Sequence, residues 1–216
     1  MKKFPDRRQA GKILAKQLIK YKGKQDVLVL ALPRGGVPVA YEIARSLTVP
    51  LDVFIVRKLG VPKHEELAMG AIATGNIVVF NKEIVDSLNL SKETIEQVTQ
   101  AEQKELNRRE LLYRNNRPPL LLKDKTIILV DDGVATGATI LVALKALRLQ
   151  KPAAIIIAIP VAAYTTYQEL TKQADEVICL LKPVDFYAVG LWYENFNQTT
   201  DEEVIELLSA TNGRIY

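Results

Sequence analysis

Thr126-Ile127-Ile128-Leu129-Val130-Asp131-Asp132-Gly133-Val134-Ala135-Thr136-Gly137-Ala138-Thr139-Ile140 joins an apolar run to an acidic pair and a small-residue loop. Ile127 to Val130 are apolar without alternation, the pattern of a strand buried on both faces of a parallel sheet. Two carboxylates follow, then small and hydroxyl residues, then a helix-like run from Ala138 to Leu149. In open α/β sheets that strand end is where ligands sit.

The residue types narrow the ligand. Asp131 and Asp132, when ionised, only accept hydrogen bonds, so the pair suits vicinal hydroxyls, a metal ion, or both. From Gly133 to Thr139, glycine permits close backbone approach, backbone N–H groups and a helix start favour an anion, and the Thr136 and Thr139 hydroxyls add donors. A sugar phosphate satisfies both halves. The run is not a Walker loop, because Gly133 and Gly137 stand too close together and no lysine precedes Thr139.

Val130 to Thr139 resembles the donor-binding motif of the type I phosphoribosyltransferases, in which an acidic pair holds ribose hydroxyls and a Gly/Thr loop holds the ribose phosphate. The resemblance implies that Asp131 and Asp132 grip the ribose of phosphoribosyl pyrophosphate, and that Gly133, Val134, Ala135, Thr136, Gly137, Ala138 and Thr139 cradle its phosphate. It implies an α/β fold with a parallel sheet flanked by helices, a flexible lid hairpin, a helical insertion and a small hood. The expected organisation is one domain over 1–216, with a core at about 25–80 and 120–182, an insertion at about 82–117 and a hood and tail at about 183–216.

Elsewhere the chain alternates strands and helices, as a parallel sheet with right-handed crossovers requires. Asp6 with Gln9 forms a capping-box pattern before an apolar stripe at Ala10, Ile13, Leu14 and Leu18, so a helix is expected near 6–21. Strands are expected at 27–32, 51–56, 153–159 and 176–181, and helices at 37–47, 138–149 and around 164–172. Residues 59–67 are polar, and Gly75-Asn76 makes a turn between two short strands within 69–80. Residues 82–115 are helical and charged, broken at Asn89-Leu90-Ser91 and ended by Pro118-Pro119. Thr200 and Glu203 cap a last helix over 204–208.

Pro33-Arg34-Gly35-Gly36 follows the first sheet strand, where the resembled family places its pyrophosphate loop. Gly35 and Gly36 allow backbone N–H groups to approach a phosphate, and Arg34 adds a forked cation. The resemblance implies a cis Pro33–Arg34 bond, a catalytic part for Arg34 alongside Asp131 and Asp132, and closure of residues 59–67 over the site. Arg57 and Lys58 read either as further pyrophosphate ligands or as a solvated strand end. His64, Glu65 and Glu66 read as lid or as plain surface.

Phe186 to Glu194 is similar to the hood strand of hypoxanthine-guanine and xanthine transferases. That likeness implies an acceptor site at Tyr187 and Trp192 and a metal contact at Glu194 beside Asp131 and Asp132; an aromatic packing cluster is the other reading. Two departures stand out. Purine-salvage relatives carry an aspartate base where this chain has Ala135, as adenine-type transferases also do, and no lysine matches the one that reads a purine carbonyl. The nearest overall resemblance, through Arg57 to Pro62, Met69 to Ala73 and Trp192 to Phe196, is to phosphoribosyltransferases of unassigned acceptor.

The implied activity is Mg²⁺-dependent transfer of the phosphoribosyl group to a nucleobase-like acceptor with release of pyrophosphate, in nucleotide metabolism. The alternative is a non-catalytic sensor of the donor or a nucleotide that regulates a partner or nucleic acid. The bulk properties agree with a globular chain: 216 residues, 48% hydrophobic, 25% charged, net charge +4. Cys179 is the lone cysteine and His64 the lone histidine, which excludes an intrachain disulfide and argues against a Cys/His zinc site. Met1 to Asp6 leads into no apolar stretch, so a secretory leader is not expected, and the run 153–163 is too short to span a bilayer. A cytoplasmic homo-oligomer is expected. Nine of the 29 basic residues fall between Lys2 and Lys24, read as a solvated helix face rather than a nucleic-acid patch.

Overall fold

The computed structural model describes residues 3–115 and 117–211, except for the side chains of Glu65 and Glu66. Met1 and Lys2, part of the leader reading, and the two glutamate side chains named for the lid lie outside that description. In chain order the elements are α1 (Arg7–Gln17), β1 (Val27–Ala31), α2 (Gly36–Leu47), β2 (Leu51–Val53), β3 (Val56–Val61), β4 (His64–Ala73) and β5 (Ile77–Phe80). Then come α3 (Lys82–Ser87), α4 (Lys92–Arg114), β6 (Thr126–Val130), α5 (Ala138–Leu149), β7 (Ala154–Val161), α6 (Tyr164–Gln173), β8 (Glu176–Leu181) and α7 (Asp201–Thr211).

Five strands build one parallel sheet in the order β2-β1-β6-β7-β8. The apolar runs of β1, β6 and β7 are continuous because both faces are covered. Val29, Ile128 and Ile156 point into a core shared with α1, α2 and α7, while Leu30, Ile127 and Ile157 point into the opposite core with α5 and α6. A three-stranded antiparallel ribbon, β3-β4-β5, stands beside the sheet.

Local chemistry sets the boundaries. The Asp6 carboxylate accepts the Gln9 N–H at 2.7 Å and opens α1. Asn89 at φ 46° separates α3 from α4, and Ser91 caps α4 by accepting the Thr94 N–H at 3.1 Å. Thr200 accepts the Glu203 N–H at 3.2 Å ahead of α7.

Three expectations change. The strand expected over 51–56 is two strands: after Val53 the chain leaves the parallel sheet, the Ile55 N–H turns to the Thr74 hydroxyl at 2.9 Å, and Val56 begins the ribbon. Its apolar run is unbroken because Phe54 and Ile55 are buried on leaving. Arg57 and Lys58 therefore lie within β3 and do not end a parallel strand. The polar stretch 59–67 belongs mostly to the β3–β4 hairpin, whose tip has Lys63 at φ 67°. Phe186 to Glu194 is no strand: it holds a 3-10 turn over Val189–Trp192 and one bridge from Tyr193 to Phe4.

Candidate active site

From β1 the sheet grows one way to β2 and the other way to β6, so the strand order reverses between β1 and β6. A crevice opens outside the carboxyl ends at such a reversal. Ala31 pairs with Val130 across it, which brings Pro33-Arg34-Gly35-Gly36 from one strand against Asp131-Asp132 from the other. The Pro33–Arg34 peptide is cis, as the resemblance implies. The approach is close: a Cβ on Gly35 would lie 2.0 Å from Asp132 Oδ2, and one on Gly36 would lie 2.7 Å from the Val130 carbonyl.

The acid pair is enclosed. Asp131 Oδ1 accepts the Asp132 N–H at 2.9 Å. The Asp132 carboxylate, 14% exposed, accepts from Arg7 Nε at 2.7 Å, and its carbonyl accepts from the Tyr193 hydroxyl at 2.5 Å. Burial pushes the Asp131 carboxyl well above its ordinary range, and the neighbouring Asp132 charge adds to it. Burial raises Asp132 as well, with Arg7 pulling the other way. Burial likewise drives the Tyr193 hydroxyl upward, so it stays a protonated donor to the Asp132 carbonyl.

Beyond the acids the loop is pinned from beneath and open above. The Val134 N–H donates to the Val161 carbonyl at 2.9 Å, the Ala163 N–H to the Val134 carbonyl at 3.0 Å, and the Thr166 hydroxyl to the Ala135 carbonyl at 2.5 Å. Ala135, Thr136, Ala138 and Thr139 are exposed, whereas Gly133, Val134 and Gly137 are buried. Gly137 takes φ 79°, a left-handed conformation that glycine adopts freely, and leads directly into α5. Exposed backbone at the start of a 12-residue helix favours an anion.

The other anticipated residues are distributed unevenly. Arg34 is half-buried, and its guanidinium lies 3.5 Å from Asp201 at the start of α7. Asp201 also accepts the Tyr113 hydroxyl of α4 at 2.5 Å. Arg57 is paired with Glu102 of α4 at 2.6 Å. Arg57 and Lys58 line a cavity of about 380 Å³ with Gly60, Pro62, Val98 and Glu102. Tyr187 is 85% exposed, while Trp192 is 6% exposed and stacked on Phe186. The packing-cluster reading thus describes Trp192. Glu194 is exposed, and its N–H donates to the Phe4 carbonyl at 2.8 Å. Among the described residues no three His, Cys, Asp or Glu side chains converge on a cation position.

Sequence reasoning missed Arg7, Tyr193 and Asp201. Arg7 is 125 residues from its carboxylate partner, and no periodicity links such distant positions. Tyr193 lay inside the aromatic stretch, but its hydroxyl contact was not legible there.

The chain matches the profile of the phosphoribosyl transferase domain over residues 2–193. It belongs to that family. A candidate phosphoribosyl transferase of Mycobacterium tuberculosis is 43% identical over 212 residues, covering 98% of this chain and 48% of that protein. The chain thus spans about half the length of the curated relatives it matches. The crystal structure of TT1426 from Thermus thermophilus is 39% identical with a TM-score of 0.84, covering 96% of this chain and 98% of that one. The type I assignment and the parallel sheet flanked by helices stand together. Among the described residues no helix is long and apolar enough to cross a membrane.

Proposed function

We propose that the chain is a Mg²⁺-dependent phosphoribosyltransferase, moving the phosphoribosyl group of phosphoribosyl pyrophosphate to a nitrogen of a nucleobase-like acceptor and releasing pyrophosphate. The observation that carries this reading is the meeting of the 33–36 loop and the Asp131–Asp132 pair at the reversal of strand order. Asp131 and Asp132 grip the ribose hydroxyls, residues 133–139 hold the ribose phosphate, and Arg34 with the Gly35 and Gly36 N–H groups takes the pyrophosphate.

The donor set fits a hard divalent cation. Two adjacent carboxylates held in a buried setting disfavour two bare charges, and a cation bound by one or two carboxylates plus substrate oxygens is the habit of Mg²⁺. Asp131 and Asp132 would hold it, and it supplies charge stabilisation to the leaving pyrophosphate. The chain's own residues orient the donor, keep the sugar fixed as the anomeric centre gains oxocarbenium character, and present Arg34 to the departing phosphates. Tyr187, exposed at the rim, is the acceptor-stacking candidate. Arg57 and Lys58 add cations to the pyrophosphate site from the β3–β4 hairpin, which also serves as the lid.

Incubation with the donor, Mg²⁺ and a panel of bases tests this: the expected result is pyrophosphate release with at least one base. Ala135, in place of an acidic base, favours one rival, a donor sensor. Saturable donor binding with no release across the panel, together with salt-sensitive nucleic-acid binding, would establish the sensor. A cytoplasmic homo-oligomer is part of the proposal, and sedimentation velocity decides the oligomeric state.

A further inference from the structure

Arg7 reaches the acid pair from an element that no part of the sequence reading connected with the site. Its guanidinium is anchored on three sides: Nε donates to Asp132 Oδ2 at 2.7 Å, Nη1 donates to the Asn197 carbonyl at 2.7 Å, and the group lies 3.8 Å from the centre of the Phe196 ring. Its side chain is 11% exposed. Gly35 stands against the same carboxylate oxygen, so close that a Cβ there would lie 2.0 Å from Oδ2. One carboxylate therefore joins the N-terminal helix, the loop after β1 and the strand end of β6.

A solvent-facing ion pair contributes little and leaves both partners free to rotate. This pair is different, because a nearly enclosed carboxylate beside a second carboxylate needs a fixed cation to remain where it is. A guanidinium held by a backbone carbonyl and an aromatic face is stiff, and its planar fork is oriented before it meets its partner. These contacts let Arg7 hold the Asp132 carboxylate in one orientation beside Gly35.

We infer that Arg7 is a positioning residue of the donor site, fixing Asp132 so that its carboxylate is preset to receive a sugar hydroxyl of the phosphoribosyl donor. This rests on the proposed function. Arg7 does not touch the donor; it acts through Asp132, and without it that carboxylate turns away and the sugar loses one of its two acidic contacts. The ligand portion that depends on Arg7 is the hydroxylated ring, whereas pyrophosphate alone is bound by the loop after β1.

Titration calorimetry on the full chain separates these possibilities, using phosphoribosyl pyrophosphate with Mg²⁺ as one probe and inorganic pyrophosphate in EDTA, where no cation can bridge it to Asp132, as the other. Arg7→Met is expected to weaken the sugar-bearing probe roughly ten- to hundred-fold, as for loss of one partner of an enclosed charge pair, and to leave inorganic pyrophosphate within about two-fold. Arg7→Lys, which keeps the charge and loses the fork, is expected to fall between wild type and Arg7→Met, and it decides the matter should Arg7→Met not fold. Equal weakening of both probes, no weakening, or tighter binding of the sugar-bearing probe would overturn the inference; the last would make Arg7 a competitor that the donor displaces. A wild-type chain that binds no phosphoribosyl pyrophosphate would overturn the proposed function and this inference with it. A wild type that binds it alongside an indistinguishable Arg7→Met would overturn the inference alone.

Discussion

Gly35 has no space for a side chain, although its backbone, at φ −60° and ψ −30°, would suit any residue. The obstruction is the Asp132 carboxylate, 2.0 Å from where a Cβ would stand. Gly35→Ala therefore forces the carboxylate, itself held by Arg7, to move. Overpacking of this kind costs about 1–3 kcal/mol. The expected outcome is a lower urea-unfolding midpoint together with weaker donor binding, and a variant that matched wild type in both would show that the contact is dispensable. In the sequence Gly35 was legible as a residue that lets backbone approach a phosphate. Its second duty, making room for Asp132, was not legible, because that neighbour is brought up by strand pairing and not by sequence proximity.

Two elements outside the parallel sheet, α4 and α7, meet at the loop arginine. Asp201 at the start of α7 lies 3.5 Å from Arg34 and accepts the Tyr113 hydroxyl of α4. Burial and this bond raise the Tyr113 hydroxyl to about 12, so it remains a donor, while the bond holds Asp201 below the ordinary carboxylate range. Asp201 competes with an anion for Arg34, and because the pair is part-exposed its effect is small. Asp201→Asn is expected to tighten inorganic pyrophosphate about two- to five-fold at low salt, a difference that shrinks as salt is added; weaker binding would show that Asp201 aids Arg34. The same end of α4 is tied more firmly through the next residue. Arg114 contacts the Asp52 carboxylate of β2 at 3.2 Å, with Arg117 at 3.8 Å, and Asp52 is 3% exposed. Asp52→Ala leaves two enclosed guanidinium groups without their carboxylate and is expected to cost about 3–5 kcal/mol in urea unfolding; a cost below about 1 kcal/mol would mean that the cluster is neutral to folding. The helices and their break at Asn89 to Ser91 were legible from charge pattern and turn chemistry. Their partners were not, since an exposed-looking charge on a helix does not announce which distant carboxylate it will meet.

At the scale of the molecule, the parallel sheet was readable because a strand covered on both faces is apolar throughout, and β1, β6, β7 and β8 fall close to where those runs lie. The same rule misplaced residues 54–56, since a segment crossing from the sheet to the ribbon is also buried and so equally apolar. The acid pair and its loop were legible as chemistry, and the strand order supplies what sequence lacked, the reason that the loop after β1 faces them. Tyr187 and Trp192 mark the limit: aromatic residues report burial or stacking alike, and only the fold separates an exposed ring from an enclosed one. The most direct test of the central claim is calorimetric titration of phosphoribosyl pyrophosphate with Mg²⁺ into the wild-type chain and the Asp131→Asn/Asp132→Asn variant. The expected result is saturable binding to wild type and about a hundred-fold or greater loss in the variant, as for two charged hydrogen-bond sites removed together, with its unfolding still cooperative. Undiminished affinity in a folded double variant would contradict the assignment of the donor site.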